Sequence, residues 1–388
     1  MKTDKNLLAI NDDIKYLNIS SVYDNLFFYK YHSRYLKKLQ KTDIEKDDVH
    51  YISTYSSFIG EVYENVIYEL LLDYAVKNDH ITEFVLKGPH QNGYQNQKNG
   101  LMIDINNQIV YKAGYKDVTE FDALFFTKDS VCFVESTIVK TTTSLRKRLR
   151  KKKALLEILF PNLKIEALII LSEGALGVNV FPNYCTVWVT KPLDDDEIIY
   201  KLINNKTTDD KVFKTPTHKK LINTSSVNVE LFKYFDTINW ILRSVRKNKK
   251  DILDFRFLFT DKITRYFEIF SKFYIGHITT DTFISLLQYS KITTISEEIP
   301  IDKIENEQVI VTIEKGVDGF NLVYYLKLIG DKLKRLDFKD DELMVSNKDP
   351  KGFTSAEIKY VKFLFAKSYK LTLDDIKKIE QNKDKIKK

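Results

Sequence analysis

The segment "EFDALFFTKDSVCFVESTIVK", which spans residues 120–140, constrains the fold more than any other part of the chain. Two apolar runs flank a short polar turn, and this pattern predicts a β-hairpin with strands at 118–126 and 131–139. Each strand carries one carboxylate, Asp122 or Glu135, at a position where the pattern calls for a buried side chain. Because burying a charged group costs free energy, the two carboxylates need a compensating partner.

The register of the predicted hairpin makes these two carboxylates direct neighbours. A turn at Lys128-Asp129 pairs Thr127 with Ser130 and, further along the strands, Asp122 with Glu135. Residues that face each other in this way have Cβ atoms about 5 Å apart on one face of the sheet. Like charges at such positions destabilise a sheet, and a divalent cation between them would offset the repulsion. The alternatives are that one carboxylate points to solvent or that a Lys or Arg pairs with both.

Composition favours a large folded protein without an export or membrane signal. The 388 residues are enough for two or three domains, and an apolar fraction of 43% can fill a sizeable core. The two cysteines, Cys132 and Cys185, supply neither a disulfide framework nor a zinc-ligand spacing, so we expect reduced thiols and a cytoplasmic location. The N-terminus lacks the continuous apolar segment of a signal peptide, and no apolar run is long enough to predict a membrane span.

The order of apolar patterns predicts an α/β (α+β) fold in which helices flank a mixed central sheet. Around the hairpin, the patterns indicate helices at 57–77 and 144–160 and strands at 81–88, 101–105, 108–112, 164–172 and 185–190. The polar segment 88–100 is interpreted as a connecting loop, with a mobile substrate loop as the alternative.

A change of character near residue 200 predicts a domain boundary there. We expect an N-terminal helical segment at 1–50, an α/β domain at 51–198 and a mainly α-helical C-terminal domain at 199–388. The C-terminal domain is expected to contain one strand, at 308–315.

A third carboxylate is predicted to face the sheet from the helix that precedes the strands. In "SFIGEVYENVIYELLLDYAV", Glu64 lies at the edge of the apolar stripe beside Leu71, whereas Glu61 lies on the polar side. Glu64 is therefore the better candidate for an inward-facing acid, and an ordinary residue at the boundary of the apolar face is the alternative.

The segments "GEVYE", "EFDALFF" and "VCFVEST", followed by a basic helix and an aliphatic strand, resemble the PD-(D/E)XK (restriction-endonuclease-like) nuclease superfamily. The resemblance covers roughly residues 55–190 and implies an αβββαβ core. It implies a metal-dependent endonuclease that cleaves DNA, with RNA as an alternative substrate and defence against foreign DNA as a biological role. It also implies that Glu64 (with Glu61 as the alternate), Asp122 and Glu135 are catalytic and bind one or two Mg²⁺ ions, for which Mn²⁺ can substitute.

The chain departs from the family pattern at Thr137, where the family has a lysine that assists the attacking water. Three interpretations remain open. Lys140, or Lys147 or Lys151 from the next helix, replaces the missing lysine; the metal alone activates the water; or the site is inactive, and the chain is a decayed nucleic-acid-binding or assembly subunit.

A dense basic run, "RKRLRKKK" at 146–153, follows the hairpin and is free of acidic residues. It is interpreted as a phosphate-binding surface for nucleic acid, with a merely solvated helix face as the alternative. The residues assigned to this surface are Arg146, Lys147, Arg148, Arg150, Lys151, Lys152 and Lys153. A second basic run lies at 243–250. The C-terminal domain is expected to read target DNA, to bind a protein partner or a second copy in a homodimer, or to sense a ligand.

Overall fold

A computed structural model of the chain divides it into two compact units, Met1–Phe232 and Lys233–Lys388. The described residues are 9–40, 47–91, 93–114, 116–178, 181–204, 213, 215–230, 232, 269, 272–299, 309–316, 319–328, 332–346 and 370–385. Both units contain helices and β-sheet, with two sheets in the described part of the first unit and one in that of the second, so the predicted mixed α/β class is confirmed.

The first unit combines five α-helices and nine β-strands within its described residues. The helices are α1 (Asp12–Lys15), α2 (Ser33–Leu39), α3 (Val49–Lys77), α4 (Thr143–Leu159) and α5 (Asp196–Ile203). The strands are β1 (Glu83–Val85), β2 (Gly100–Ile103), β3 (Ile109–Ala113), β4 (Lys116–Phe121), β5 (Ala123–Phe126), β6 (Ser130–Thr137), β7 (Lys164–Ser172), β8 (Cys185–Thr190) and β9 (Leu221–Ile222).

These strands form a six-stranded sheet in the order β8-β7-β6-β5-β1-β9 and a three-stranded sheet in the order β2-β3-β4. In the larger sheet, β5 runs antiparallel to both β1 and β6, whereas β6, β7 and β8 are parallel. Helix α4 makes the crossover between β6 and β7, because two parallel neighbours need a long connection.

The predicted hairpin register is confirmed, but one of its strands is interrupted. Ala123 lies opposite Val134, and the amide of Thr127 donates to the carbonyl of Ser130 across the turn at 2.9 Å. The predicted continuous strand at 118–126 is wrong, because the chain bends at Asp122 and passes from the three-stranded sheet into the six-stranded sheet.

Helix α3 is the central helix of the first unit and begins earlier than predicted. The side chain of Asp48 caps it by accepting hydrogen bonds from the amides of His50 and Tyr51, which adds two turns before residue 57. Its C-terminal half is buried nearly all around, since it packs on the sheet and also against the short helices of residues 9–40. Apolar side chains of residues 9–40 are therefore part of the core of the first unit.

Helix α5 belongs to the same core. Its apolar face, which includes Ile198, Ile199 and Leu202, packs in the cluster that contains α3. The predicted boundary near residue 200 falls inside this helix, whereas the two units divide after Phe232. Asp195, which lies in the polar run at 191–197, caps the start of α5 by accepting a hydrogen bond from the amide of Ile198.

The expectation of a mainly helical C-terminal domain with one strand is wrong for the described residues. These form a sheet of six strands in the order β10-β12-β13-β14-β15-β11, with two helices. The elements are β10 (Phe273–Ile278), α6 (Thr280–Tyr289), β11 (Thr294–Ile295), β12 (Val309–Gly316), β13 (Gly319–Leu328), β14 (Lys332–Lys339), β15 (Glu342–Val345) and α7 (Leu373–Lys385). The cause of the error is that short apolar runs rich in aromatic residues fit a buried helix and a strand equally well.

The second basic run, at 243–250, lies outside the described residues. Across the described parts of both units, no helix combines the length and the apolar character needed to cross a membrane.

Candidate active site

The candidate site lies at one end of the six-stranded sheet, where β1 ends, β5 begins and β6 ends. Ala123 of β5 faces Val134 of β6, and the next step in that register places Asp122 beside Glu135. Lys87 follows the end of β1 and is fully buried, and Asp122 is the carboxylate with the strongest electrostatic influence on it. The end of the sheet therefore brings a lysine and two acids from three neighbouring strands into one region.

Asp122 is half-buried at the bend between the two sheets. Its Oδ2 atom accepts hydrogen bonds from the amide of Ser136 at 2.6 Å and from the hydroxyl of Ser136 at 3.1 Å. This carboxylate thus satisfies a backbone donor of β6 at the point where the ladder with β5 stops. Both of these hydrogen bonds end on Oδ2. Among the described residues no donor is bonded to Oδ1, so this oxygen is available to a ligand.

Glu135 is almost fully buried, with 2% of its surface exposed, and it faces helix α4. Its Oε1 atom contacts Nζ of Lys152, and its Oε2 atom lies 3.7 Å from the guanidinium of Arg148. Lys152 and Arg148 are one helical turn apart, so one face of α4 brings both cations to the same carboxylate. The alternative in which a basic side chain pairs with the strand carboxylate therefore describes Glu135.

Lys152 is a buried ion-pair partner, so its assignment to an exposed nucleic-acid-binding surface is wrong. Only 3% of its surface is exposed, and its Nζ atom lies 5.6 Å from the ring centroid of Phe121. Burial lowers the pKa of the Lys152 ammonium, and the carboxylates of Asp122, Glu120 and Glu64 act against that shift. A sequence signal for this placement exists, since Lys152 falls between Leu149 and Leu156 on the apolar side of α4.

The other members of the basic run lie nearer to solvent. Arg146, Lys147 and Arg150 are exposed, as is Arg148, whereas Lys151 and Lys153 are half-buried. Lys153 forms an ion pair with Glu157 four residues later on the same helix. The exposed part of the predicted phosphate-binding surface therefore consists of four arginine and lysine side chains on α4.

The lysine that contacts Glu135 is none of those proposed to replace the residue missing at Thr137. Lys140 is exposed and follows the end of β6, and its carbonyl accepts a hydrogen bond from the amide of Leu176. Among the described residues, the side chains that pair with Glu135 are Lys152 and Arg148, and not Lys140, Lys147 or Lys151.

Glu64 extends from α3 toward the same end of the sheet and is half-buried. Burial and the nearby carboxylate of Asp122 raise the pKa of Glu64 to about 8, while Lys87 and Lys152 favour its charged form. Glu61, the alternate, accepts a hydrogen bond from the amide of His32 at 3.0 Å and serves the start of α2. The acid that α3 contributes beside Asp122 is therefore Glu64.

Lys87 is a member of the site that the sequence did not reveal. Its side chain is fully buried, donates to Oε1 of Gln108 at 3.1 Å and lies 5.0 Å from the ring centroid of Tyr68. Burial lowers the pKa of Lys87, and Asp122 and Glu64 are the strongest of the carboxylates that oppose this shift. A lysine after the apolar run "FVL" was the available signal, but its partners depend on strand register.

The segment 88–100 connects β1 to β2, and its first residues are packed in the interior of the first unit. Gly88, His90 and Gln91 are buried. Gly88 has a φ of +61°, and a Cβ atom there would lie 2.4 Å from the ring of Tyr29. Glycine is therefore required directly after Lys87, and this packing fixes where the Lys87 side chain leaves the backbone.

A second buried carboxylate, Glu69, lies behind the site on α3 and is fully hydrogen-bonded. Its Oε1 atom accepts from the hydroxyl of Tyr29 at 2.6 Å and lies 2.6 Å from Nε2 of His90. Its Oε2 atom accepts from Nδ2 of Asn25 at 2.8 Å. This network holds the N-terminal residues and the segment after Lys87 against α3.

The carboxylate oxygens of the site fit a hard cation held by Asp122 and Glu64 better than the predicted cation between Asp122 and Glu135. In the described part of the chain, no three His, Cys, Asp or Glu side chains form a ready-made metal cluster. Glu135 is engaged by Lys152, whereas Asp122 and Glu64 are half-buried and offer carboxylate oxygens. Mg²⁺ commonly takes only one or two carboxylates and completes its coordination with water and substrate oxygens, so these two residues fit such an ion.

Comparison of the chain with protein-family models, with curated proteins and with solved structures finds no match.

Proposed function

We propose that this protein is a metal-dependent endonuclease that cleaves DNA and that its first unit contains a restriction-endonuclease-like core. The observation that carries the proposal is the convergence of Glu64, Asp122 and Glu135 with two buried lysines at one end of the sheet. Acids on a helix and on two adjacent strands, beside a fixed ammonium group, are the parts that phosphodiester hydrolysis needs.

The order of elements supports this assignment. Helix α3, strands β1, β5 and β6, helix α4 and strand β7 follow one another in the αβββαβ order, and all four strands belong to one sheet. Strands β2 to β4 form a separate sheet inserted between β1 and β5. The three acids lie on the first helix, at the start of the second core strand and on the third core strand, as the resemblance implies.

The metal's contribution would be a more acidic bound water and compensation of charge on the phosphoryl oxygens. Asp122 and Glu64 are the residues that would hold Mg²⁺, or Mn²⁺ in its place. Within the chain, Ser136 fixes the orientation of the Asp122 carboxylate through two hydrogen bonds. Lys152, held by Glu135, provides the positive charge that Thr137 lacks, and it reaches the site from α4.

Substrate binding is assigned to the exposed cations of α4. Arg146, Lys147 and Arg150 face solvent, and Arg148 connects this surface to Glu135 with 56% of its side chain exposed. Contacts from such residues to backbone phosphates position a nucleic acid without reading its sequence. The chemistry of the site is shared by DNA and RNA, so the test includes both.

The test is cleavage of plasmid DNA, linear DNA and RNA in Mg²⁺ or Mn²⁺ by the full chain and by Asp122→Asn. The isosteric amide keeps the size of the side chain and removes its charge, and we expect activity to fall at least about 100-fold. Glu173→Gln, which alters an exposed ion pair with Lys191, is the matched control and should cleave like the unmodified protein. Equal cleavage by Asp122→Asn would exclude this site assignment.

A comparison of Lys152→Met with Lys140→Ala identifies the lysine that acts at the site. We expect the larger loss of activity for Lys152→Met, because Lys152 contacts Glu135 while Lys140 is exposed. A larger loss of activity for Lys140→Ala would show that Lys140, which follows the end of β6, is the lysine that acts at the site. Circular dichroism of both variants is the check that each one is folded under the conditions of the assay.

A second candidate function is a nucleic-acid-binding or assembly subunit without catalysis. It is favoured by the Lys152–Glu135 ion pair, which occupies a carboxylate that the family uses for metal, and by the lack of a three-ligand cluster in the described residues. Salt-sensitive DNA binding without cleavage by any form of the protein would support this candidate over the first.

A further inference from the structure

We propose that the hairpin tip, residues 104–108 between β2 and β3, enters the major groove of duplex DNA beside the candidate site and contacts base edges there. This role rests on the proposed function and deepens it, since it names duplex DNA as the substrate class. It assigns base contacts to Ile105 and Asn106, which the resemblance does not include.

Strand β4 connects the hairpin tip to the site on one side. Ile109, the first residue after the tip, pairs with Phe121, which directly precedes Asp122. The ring centroid of Phe121 lies 6.3 Å from that of Phe133 on β6, two residues before Glu135. The hairpin therefore reaches the six-stranded sheet beside the two strand carboxylates of the site.

The segment that follows β1 holds the hairpin tip on another side. The carbonyl of Asn107 accepts a hydrogen bond from the amide of Gly88 at 3.0 Å. Oε1 of Gln108 accepts a hydrogen bond from Nζ of Lys87 at 3.1 Å. Because Lys87 and Gly88 are buried, these two contacts fix the hairpin tip to the interior of the first unit. The sheet inserted between β1 and β5 thus ends at the candidate site.

The hairpin tip is ordered by its own hydrogen bonds. The carboxylate of Asp104 accepts from the amide of Asn106 at 2.9 Å and from the amide of Gln108 at 2.8 Å. Asn107 closes the turn in the left-handed region, at a φ of +62°, which asparagine adopts more readily than most residues. An element that is already ordered loses little conformational entropy when it binds a partner.

The exposed side chains of the hairpin tip suit bases better than phosphates. Ile105 is 67% exposed and Asn106 is also exposed, whereas residues 104–108 include no lysine or arginine. An isoleucine side chain can contact the methyl group of thymine, and an asparagine amide can pair with N6 and N7 of adenine. The phosphate contacts are left to the exposed cations of α4.

A second exposed apolar side chain, Tyr94, lies in the segment that runs beside the hairpin. The amide of Gln95 donates to the carbonyl of Ile103, the last residue of β2, at 2.9 Å. Tyr94 is 58% exposed. Single exposed apolar side chains are common on protein surfaces, but here two of them belong to one hydrogen-bonded element at the candidate site.

The shape of the hairpin tip favours DNA as its occupant. The major groove of B-form DNA admits a two-stranded β-ribbon and presents a distinct pattern of groups for each base pair. The major groove of duplex RNA is deep and narrow, so side chains do not read it. The occupant is therefore duplex DNA, with a preference for A·T pairs where Ile105 and Asn106 reach the bases.

The experiment measures binding of fluorescently labelled duplexes by the full chain in metal-free buffer, at several salt concentrations. The probes are an A·T-rich DNA, a G·C-rich DNA and an A·U-rich RNA of equal length. We expect the double variant Ile105→Ala, Asn106→Ala to bind the A·T-rich DNA at least about tenfold more weakly. The loss should be smaller for the G·C-rich DNA and absent for the RNA. The dependence of log affinity on log salt should not change, because no phosphate contact is removed.

Ile52→Ala is the matched control, since Ile52 is an isoleucine that is 50% exposed near the start of α3. It lies about 18 Å along that helix from Glu64 and should bind like the unmodified protein. Equal DNA affinity of the double variant and the unmodified protein would overturn the role of the hairpin tip and leave the nuclease assignment intact. Equal losses on all three duplexes, or a reduced salt dependence, would overturn the assigned base contacts. No DNA binding by any form, together with no cleavage in Mg²⁺, would overturn both proposals.

Discussion

Two glutamates on helix α3, five positions apart, show how the same side chain serves the fold in one place and a site in another. Glu69 is 2% exposed, and its two oxygens are engaged by Asn25, Tyr29 and His90. Glu64 is half-buried and has no hydrogen-bond partner within the described residues, and the nearby carboxylate of Asp122 helps to raise its pKa. Glu69 is thus compensated within the chain, whereas the environment of Glu64 favours an added cation or proton.

Glu135 is intermediate between these two glutamates. It is as deeply buried as Glu69, but its closest partner is the ammonium of Lys152, whereas Glu69 is bound by the side chains of Asn25, Tyr29 and His90. Burial alone therefore does not distinguish a structural acid from a functional one. What distinguishes them is whether neighbouring groups from the chain already satisfy the charge.

The largest expected effect comes from breaking the buried ion pair. Lys152→Met leaves Glu135 buried without its cation and should lower the free energy of unfolding by about 3–5 kcal/mol. The double variant Lys152→Met, Glu135→Met removes both charges and should recover most of that loss. Urea denaturation of the three proteins measures both values. A single variant as stable as the unmodified protein would show that the pair contributes little.

Removing the satisfied acid should have the next largest effect. Glu69→Ala leaves the buried donors of Tyr29 and His90 without their acceptor and should cost about 3 kcal/mol in the free energy of unfolding. Mn²⁺ binding by the folded variant should match that of the unmodified protein, since Glu69 lies behind the site. If the stability is unchanged and metal binding is lost, the two glutamates have been assigned the wrong roles.

Glu64 is expected to affect stability in a pH-dependent manner. Its folded pKa of about 8 exceeds its ordinary value of 4.5, so the folded state holds a proton that the unfolded state loses between these values. The free energy of unfolding should therefore fall as pH rises from about 4.5 to 8, with Asp122 and Glu120 opposing ionisation and Lys87 and Lys152 favouring it.

Glu64→Gln removes this titration, so its stability relative to the unmodified protein should increase toward pH 8. Allowing for partial exposure, we expect a difference on the order of 1–2 kcal/mol between pH 5 and pH 8 in metal-free buffer. Denaturation curves at both pH values measure it, and the exposed Glu173→Gln variant should show no such change. A constant difference across this range would mean that Glu64 is ionised throughout.

The smallest effect on stability is expected for the exposed face of α4. Replacing Arg146, Lys147 and Arg150 with Ala should change the free energy of unfolding by no more than about 0.5 kcal/mol per residue. Each lost phosphate contact should reduce the dependence of log affinity on log salt by about 0.9, or about 0.7 for a single strand. Binding assays at several salt concentrations test this, and an unchanged slope would exclude this face as the nucleic-acid surface.

Local patterns predicted much of the first unit. The bounds of β7 and β8 match the apolar runs, and Ala123 faces Val134 as the turn at Lys128-Asp129 requires. Such features depend on a few consecutive residues, because side chains alternate between the two faces of a strand and the sequence shows this alternation. In the second unit the predicted strand at 308–315 is confirmed by β12 at Val309–Gly316, whereas the other five strands of its sheet were not predicted. Short aromatic and aliphatic runs do not separate a strand from a buried helix.

By itself, the sequence determined the hairpin register, the neighbouring positions of Asp122 and Glu135, and the basic character of α4. That Lys152 turns inward to Glu135, and that Lys87 is buried where Asp122 acts on its charge, follows from the tertiary structure and not from the sequence. Hydrogen bonding within a hairpin joins residues that are close along the chain, so a local pattern specifies it. The partner of a buried charge depends instead on how separate strands and helices pack, because the cost of burial is met by whichever opposite charge that packing brings into contact.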